Sequence, residues 1–315
     1  MATIIGAVDH NDDTLALGRT LKRLTQSGDQ VVILGIAPSL SNEITDHKVV
    51  SSAKRAEQAL LNALTEKTGN LSEVIGQTCD VDLVSGAPAE KIIETSILRK
   101  ADLVVKEDDE LSSNERARMG KVARRLLKRA PSATLILRNP IDAPTPHIVI
   151  AVDNAEDKLD GPQRSLLNAR VLETGVDMAK RLDANEVTLL HVWRMADLQF
   201  LKHPRSGLSE ESVDHHIDQN RAVTSKWFES FREEAETKYA SSGLSFSTKL
   251  IMGEGGKAIA EAASELHSDL LVIGSANRRG IQSLFFGNTA ENVLSEALCN
   301  LLVVKPADFY QMVTG

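Results

Sequence analysis

The sequence predicts an α/β protein built from two tandem doubly wound domains, each a five-stranded parallel sheet flanked by helices. Short apolar runs alternate with longer helical patterns, which marks βαβ units. The pattern also occurs twice. Ile4-Ile5-Gly6-Ala7-Val8-Asp9 returns as Ile148-Val149-Ile150-Ala151-Val152-Asp153, an offset of 144. Farther along, Gly86, Ile92, Glu94, Asp102, Leu103 and Val105 return as Gly253, Ile259, Glu261, Asp269, Leu270 and Val272 at an offset of 167. That register runs without gaps from Gly86–Leu137 to Gly253–Val304. A repeat of this length decides the architecture before any motif does.

In the first copy, strands are expected at Thr3–Val8, Val31–Ile36, Val81–Val84, Leu103–Val105 and Thr134–Leu137, with helices at Thr14–Thr25 and Pro88–Lys100. The second copy repeats them at Ile148–Val152, Val187–Val192, Phe246–Ile251, Leu270–Ile273 and Leu301–Val304. Its helices are read at Ser165–Leu182, Lys257–His267 and a long polar stretch, Glu211–Ala240. The 23-residue change in offset must be inserted between Asp153 and Gly253. Asn139-Pro140 and Pro144-Thr145-Pro146 separate the copies, because proline stops both helix and strand. The domains are accordingly 1–140 and 146–308. So short a joint predicts copies that pack together.

Composition narrows the function. The chain has 315 residues, 42% hydrophobic and 25% charged, an ordinary globular balance. Lys+Arg 36 against Asp+Glu 44 gives a net charge of −8, which argues against a nucleic-acid partner while permitting a local basic patch. Cys79 and Cys299 cannot form a disulfide framework or a zinc site alone, so a reducing cytoplasm is expected. No apolar run approaches the roughly 18–20 residues of a membrane span.

Ligands of open α/β sheets sit beyond the carboxyl ends of the strands. In the second copy those ends carry Asp153 and Gly274. The loop that follows leads to Gly287-Asn288-Thr289-Ala290-Glu291, a helix start with Asn288 as N-cap and Glu291 three residues on. Backbone amides at such a start suit a phosphate.

At these residues the sequence resembles the universal stress protein family, in particular its tandem branch and the E group. The resemblance covers essentially the whole chain. It rests on Asp9 and Asp153, on Leu271-Val272-Ile273-Gly274, on Gly287-Asn288-Thr289-Ala290-Glu291 and on the closing Leu301-Leu302-Val303-Val304-Lys305-Pro306. It implies an adenine-nucleotide site marked Gly-x2-Gly-x9-Gly-Ser/Thr. Gly274 and Gly287 match the first and third glycines, with Ala276 between them. Asn277 stands at the second glycine, and Asn288 replaces the Ser/Thr, with Thr289 next to it. Asp153 and Val192 would flank ribose and adenine. The departures imply a weakened ATP site, with magnesium accompanying any bound nucleotide. Asparagine tolerates positive φ but adds a side chain where glycine leaves room. The family also implies an internal pseudo-dimer with the last strands or their flanking helices near the pseudo-twofold. A homodimer of such chains is compatible with it.

The first copy lacks the glycine motif. At the offset of 167, Gly274 and Asn277 become Glu107 and Glu110, within Lys106-Glu107-Asp108-Asp109-Glu110. These acids are expected to repel phosphates. After Gly120 comes a helix with Lys121, Arg124, Arg125, Lys128 and Arg129 opposite an apolar face; an anion-binding surface for a lipid headgroup, nucleic acid or acidic partner is one reading, and a solvated face neutralised by the neighbouring acids is the favoured one.

Other motifs weigh less. Gly253-Glu254-Gly255-Gly256-Lys257-Ala258 matches G-x-G-x-x-A, but a dinucleotide site needs an acid ending the next strand, and Asp269 begins it. A phosphate-loop reading would need glycine at Ile251 and Ser/Thr at Ala258. Asp214-His215-His216-Ile217-Asp218 reads as a solvated helix face, because closed zinc sites need four ligands. His191 reads as a satisfied core-edge residue and Cys299 as a small hydrophobe. The sequence thus points to a non-enzymatic, cytoplasmic stress-response protein with a small-molecule ligand. Slow ATP hydrolysis is the competing reading. Another is a carrier of an apolar or anionic molecule beside the Trp227, Phe228 and Phe231 stripe.

Overall fold

The structure, a computed structural model, describes residues 1–10, 12, 14–39, 47–108, 119–154, 161–195, 197–275 and 288–309. The first half forms β1 (Thr3–Asp9), α1 (Leu15–Leu24), β2 (Gln30–Ala37), α2 (His47–Ile75), β3 (Asp80–Ser85), α3 (Pro88–Leu98), β4 (Leu103–Glu107), α4 (Lys121–Arg129) and β5 (Ala133–Leu137). The second forms β6 (Ile148–Ala151), α5 (Gly161–Arg181), β7 (Glu186–Trp193), the short α6 (Leu198–Leu201) and α7 (Glu210–Lys238). It continues with β8 (Ser245–Met252), α8 (Gly255–Glu265), β9 (Leu270–Gly274), α9 (Asn288–Glu296) and β10 (Asn300–Val304).

All ten expected strands are present, extended by a residue or two at most ends. The helix α2 was not anticipated. It is 29 residues long, as is its counterpart α7, and its core contacts are spread thinly as Leu64, Leu71 and Ile75. The extra residues of the second copy lie partly in α5, 21 residues against 10 in α1. The rest fall largely in the β7–α7 connection, which holds α6 and a 3-10 turn at Pro204–Ser206.

Each half is a parallel five-stranded sheet, and the two join into one. The strand order is β3-β2-β1-β4-β5-β10-β9-β6-β7-β8. Among the described residues only β5 and β10 run antiparallel, with Leu135 opposite Leu302. The last strands therefore meet at the pseudo-twofold. Strand residues alternate between two cores: Ile4 and Val8 join one cluster, Ile5 and Ala7 the other. The first cluster takes side chains from α1, α2, α5 and α7, the second from α3, α4, α8 and α9. Both cores cross the boundary between the halves. The Pro-rich joint is pinned by Arg23, whose guanidinium donates to the carbonyls of Ile141 at 3.1 Å and Ala143 at 2.5 Å, and to Leu182 of the second half.

Candidate functional site

The pairing of β6 with β7 on one side and β9 on the other brings three expected site residues to neighbouring strand ends. Asp153 follows β6, Val192 lies half-buried near the end of β7, and Gly274 closes β9. One helix fits over two of them. Asn168 of α5 holds the Asp153 backbone, accepting from its N–H at 3.2 Å and donating to its carbonyl at 2.6 Å. One turn earlier, Arg164 closes an ion pair on the Asp153 carboxylate. At Gly274, a Cβ would lie 3.0 Å from atoms of Leu167 and Val171 of the same helix. Glycine is thus set there by helix–sheet packing. Ala276, Asn277 and Gly287 lie outside the described residues. Asn288 and Thr289 open α9.

Beside this site sits a pair that sequence reasoning passed over. Ser275 is buried, donating its N–H to the Val304 carbonyl at 2.9 Å. The Lys305 amine, 3% exposed as a residue, approaches its hydroxyl at 3.4 Å and lies 4.8 Å from the centre of the Phe309 ring. Burial pushes the lysine down to about 7. A lysine following a strand reads from sequence as exposed, and the repeat held the one warning, since its counterpart is Arg138.

In the first half, the equivalent strand ends are filled from within, by the acids read there from the sequence and by a buried lysine. Lys106 is fully buried, its amine 2.8 Å from Asp12, 3.5 Å from Asp9 and 3.0 Å from the Glu107 carbonyl. Burial raises Asp12 to about 6 despite the lysine. Glu107 turns onto the start of α1, accepting from Leu17 N–H at 2.8 Å and Thr14 N–H at 3.2 Å. Asp108 accepts from Gly120 N–H at 2.7 Å, at the start of α4, and lies 3.5 Å from the Arg138 guanidinium. These carboxylates occupy helix starts, where dipole and amides favour negative charge. Asp109 and Glu110 lie outside the described residues.

His191 is buried within β7, its Nδ1 2.9 Å from the Val152 carbonyl and its ring edge-on to Trp227 at 5.0 Å. Phe228 is buried while Trp227 and Phe231 pack on the same core, so the stripe is core. A groove of about 610 Å³ lies elsewhere, along β8, walled by Trp193, Ile217, Lys249, Met252, Ala258 and Glu261, among others. His215 is exposed and bonds Gln219, while His216 stands 4.0 Å from Asp197. Among the described residues no three His, Cys, Asp or Glu side chains gather as a metal site. Both cysteines are free, and burial raises the Cys299 thiol to about 11. Among the described residues no helix is long and apolar enough to cross a membrane.

The model of the universal stress protein family matches residues 1–138 and 146–305. Universal stress protein E of Escherichia coli K12 is 26% identical over 231 residues, 71% of this chain and 66% of that protein. The Haemophilus influenzae homologue of universal stress protein E is 24% identical over 186 residues, 58% of this chain and 55% of that one. The match thus spans less than two thirds of either relative's length. A functionally unknown Pseudomonas aeruginosa protein shares the fold at TM-score 0.68 and 19% identity, covering 99% of this chain and 95% of its own. A universal stress protein of Archaeoglobus fulgidus does so at 0.64 and 13%, covering 96% and 98%.

Proposed function

Since this chain belongs to the universal stress protein family, with two of its domains in tandem, we propose that it is a non-enzymatic, cytoplasmic stress-response regulator. Its ligand site lies in the second domain and takes an adenine nucleotide weakly, with magnesium accompanying it. In this reading the first domain, 1–140, is a scaffold, and the second, 146–308, carries the partial Gly274-x2-Asn277-x9-Gly287-Asn288 motif.

One contrast between the halves carries the reading. In the first, Asp108 supplies a carboxylate between Arg138 and the Gly120 amide. At the same offset the second has Ser275 for Asp108, Lys305 for Arg138 and Gly287 for Gly120. At this position the carboxylate gives way to a hydroxyl, while a lysine and a glycine-led helix start remain in the sequence. That combination favours an anion supplied from outside, such as a phosphate. Asp153 and Val192, at the adjoining strand ends, would face the sugar and base. Asn277 puts a side chain where the backbone must come close to the phosphates, and so weakens the grip.

Calorimetric titration with ATP and magnesium, on wild type and Asn277→Gly, tests this. Weak binding by wild type and tighter binding by the variant are expected. Absence of binding by both would remove the nucleotide from the function. Turnover of ATP by wild type would replace the regulator with a slow hydrolase.

A further inference from the structure

α4 carries five cations in nine residues, Lys121, Arg124, Arg125, Lys128 and Arg129, on a chain whose net charge is −8. Their spacing of three and four residues places them on one stripe of the helix. Ala123, Leu126 and Leu127 on the opposite stripe are buried. The five side chains line a depression of about 340 Å³.

Helix energetics favour only Lys128 and Arg129, which lie in the last turn, and not the other three. Lys121 opens the helix and Arg124 and Arg125 follow within its first turns, at the end where the dipole favours acids. Lys121 with Arg125, Arg124 with Lys128, and Arg125 with Arg129 are like-charged pairs four apart, which oppose a helix. Glu90 of α3 meets Arg125 and stands 3.8 Å from Arg129, while Arg124 Nε donates to the Met119 carbonyl at 3.0 Å.

The fold does not call for the stripe, and the repeat is the internal comparison. At the offset of 167 the five positions read Asn288, Glu291, Asn292, Ser295 and Glu296. They lie on α9, which packs into the same core layer as α4. The same architecture is thus built with no cation at any of these five places.

We propose that the α4 stripe is a binding site for a compact oligophosphate, an anion with two or more phosphate groups close together. Three guanidinium groups offer paired donors to phosphate oxygens, and two lysines add compact charge. The Gly120 amide at the helix start is already taken by Asp108, so side chains rather than the backbone hold the ligand. The site is separate from the second-domain pocket and does not depend on the nucleotide reading.

The test is calorimetric titration of the full chain with sodium tripolyphosphate. Beside wild type stands a variant carrying the second domain's residues, K121N, R124E, R125N, K128S and R129E. A milder pair, R124E with K128S, leaves the Glu90 contacts intact and serves if the first fails to fold. Wild type is expected to bind, with affinity falling as salt rises, and either variant to lose at least roughly tenfold, or about 1.4 kcal/mol. ATP titrated into wild type and the five-fold variant separates the sources: a loss of ATP binding in the variant assigns a nucleoside triphosphate to the stripe, and ATP binding equal in both leaves inorganic polyphosphate as its ligand. Equal binding by wild type and variant, or none by wild type, overturns the proposal. So does a loss that follows Lys305→Met instead, or a stripe that binds duplex DNA and not tripolyphosphate.

Discussion

Arg181 at the end of α5 closes an ion pair on Asp29 of the first domain, Nη1 to Oδ2 2.5 Å, with side chains 8% and 3% exposed. Its Nη1 also donates to the Leu24 carbonyl at 2.9 Å. Burial acts to raise the Asp29 carboxyl, but hydrogen bonds from Arg181, Gln26 and Ala2 hold it below the usual value. The stabilisation is therefore present above the unfolded value of 3.8 and lost as pH falls through the lower folded one. Arg181→Ala is expected to cost about 3 kcal/mol at neutral pH, because it leaves a buried carboxylate without its cation. Urea unfolding at pH 7 and acid titration of both proteins check this.

The Lys106 cluster gives the opposite slope. Asp12 rises from 3.8 unfolded to about 6 folded, so its contribution is full below 3.8 and declines as pH climbs through about 6. In Asp12→Asn that decline is expected to vanish, leaving a flatter stability curve between pH 4 and 6 than in wild type, as urea unfolding at several pH values would read. Lys106→Met strands two buried carboxylates and is expected to cost about 3–5 kcal/mol at pH 7, and less at pH 5.

Lys305 falls from 10.5 to about 7 on burial. A lowered lysine stabilises fully above its unfolded value and loses that contribution as pH falls through the folded one. Lys305→Met should therefore flatten the stability curve between about pH 10 and 7, and gain most at the lower end. Denaturant unfolding at pH 7 and 9.5 measures it, and a slope equal to wild type would show the amine titrating normally.

Gly274→Ala is expected to destabilise by about 1–2 kcal/mol, since the new methyl group meets Leu167 and Val171 at 3.0 Å in a packed core. The loss should appear without ligand. A variant of unchanged melting temperature would mean that α5 yields easily.

Most of the scaffold was legible because buried parallel strands are continuous apolar runs, and Val31–Ile36 or Leu301–Val304 admits no other reading. The helix α2 was not, since its polar residues far outnumber the few leucines that touch the sheet. Of the site, Asp153, Val192 and Gly274 could be placed because strand ends are fixed once the strands are. The Lys106–Asp12 and Ser275–Lys305 pairs escaped notice. Charge in a sequence reads as surface, and only three-dimensional packing reveals that these amines are inside. Nor does the sequence reveal that Glu107 and Asp108, besides placing acid at the strand end, accept amides at the starts of α1 and α4.

The antiparallel seam between β5 and β10 makes each domain the other's edge protection. A half expressed alone would present a bare strand, Ala133–Leu137 or Asn300–Val304, whose backbone groups solicit any passing partner. The strand ends differ between the halves, Glu107 and Asp108 standing where the second has Gly274 and Ser275, yet both halves depend on the one seam. Neither can be discarded without leaving its twin prone to clump.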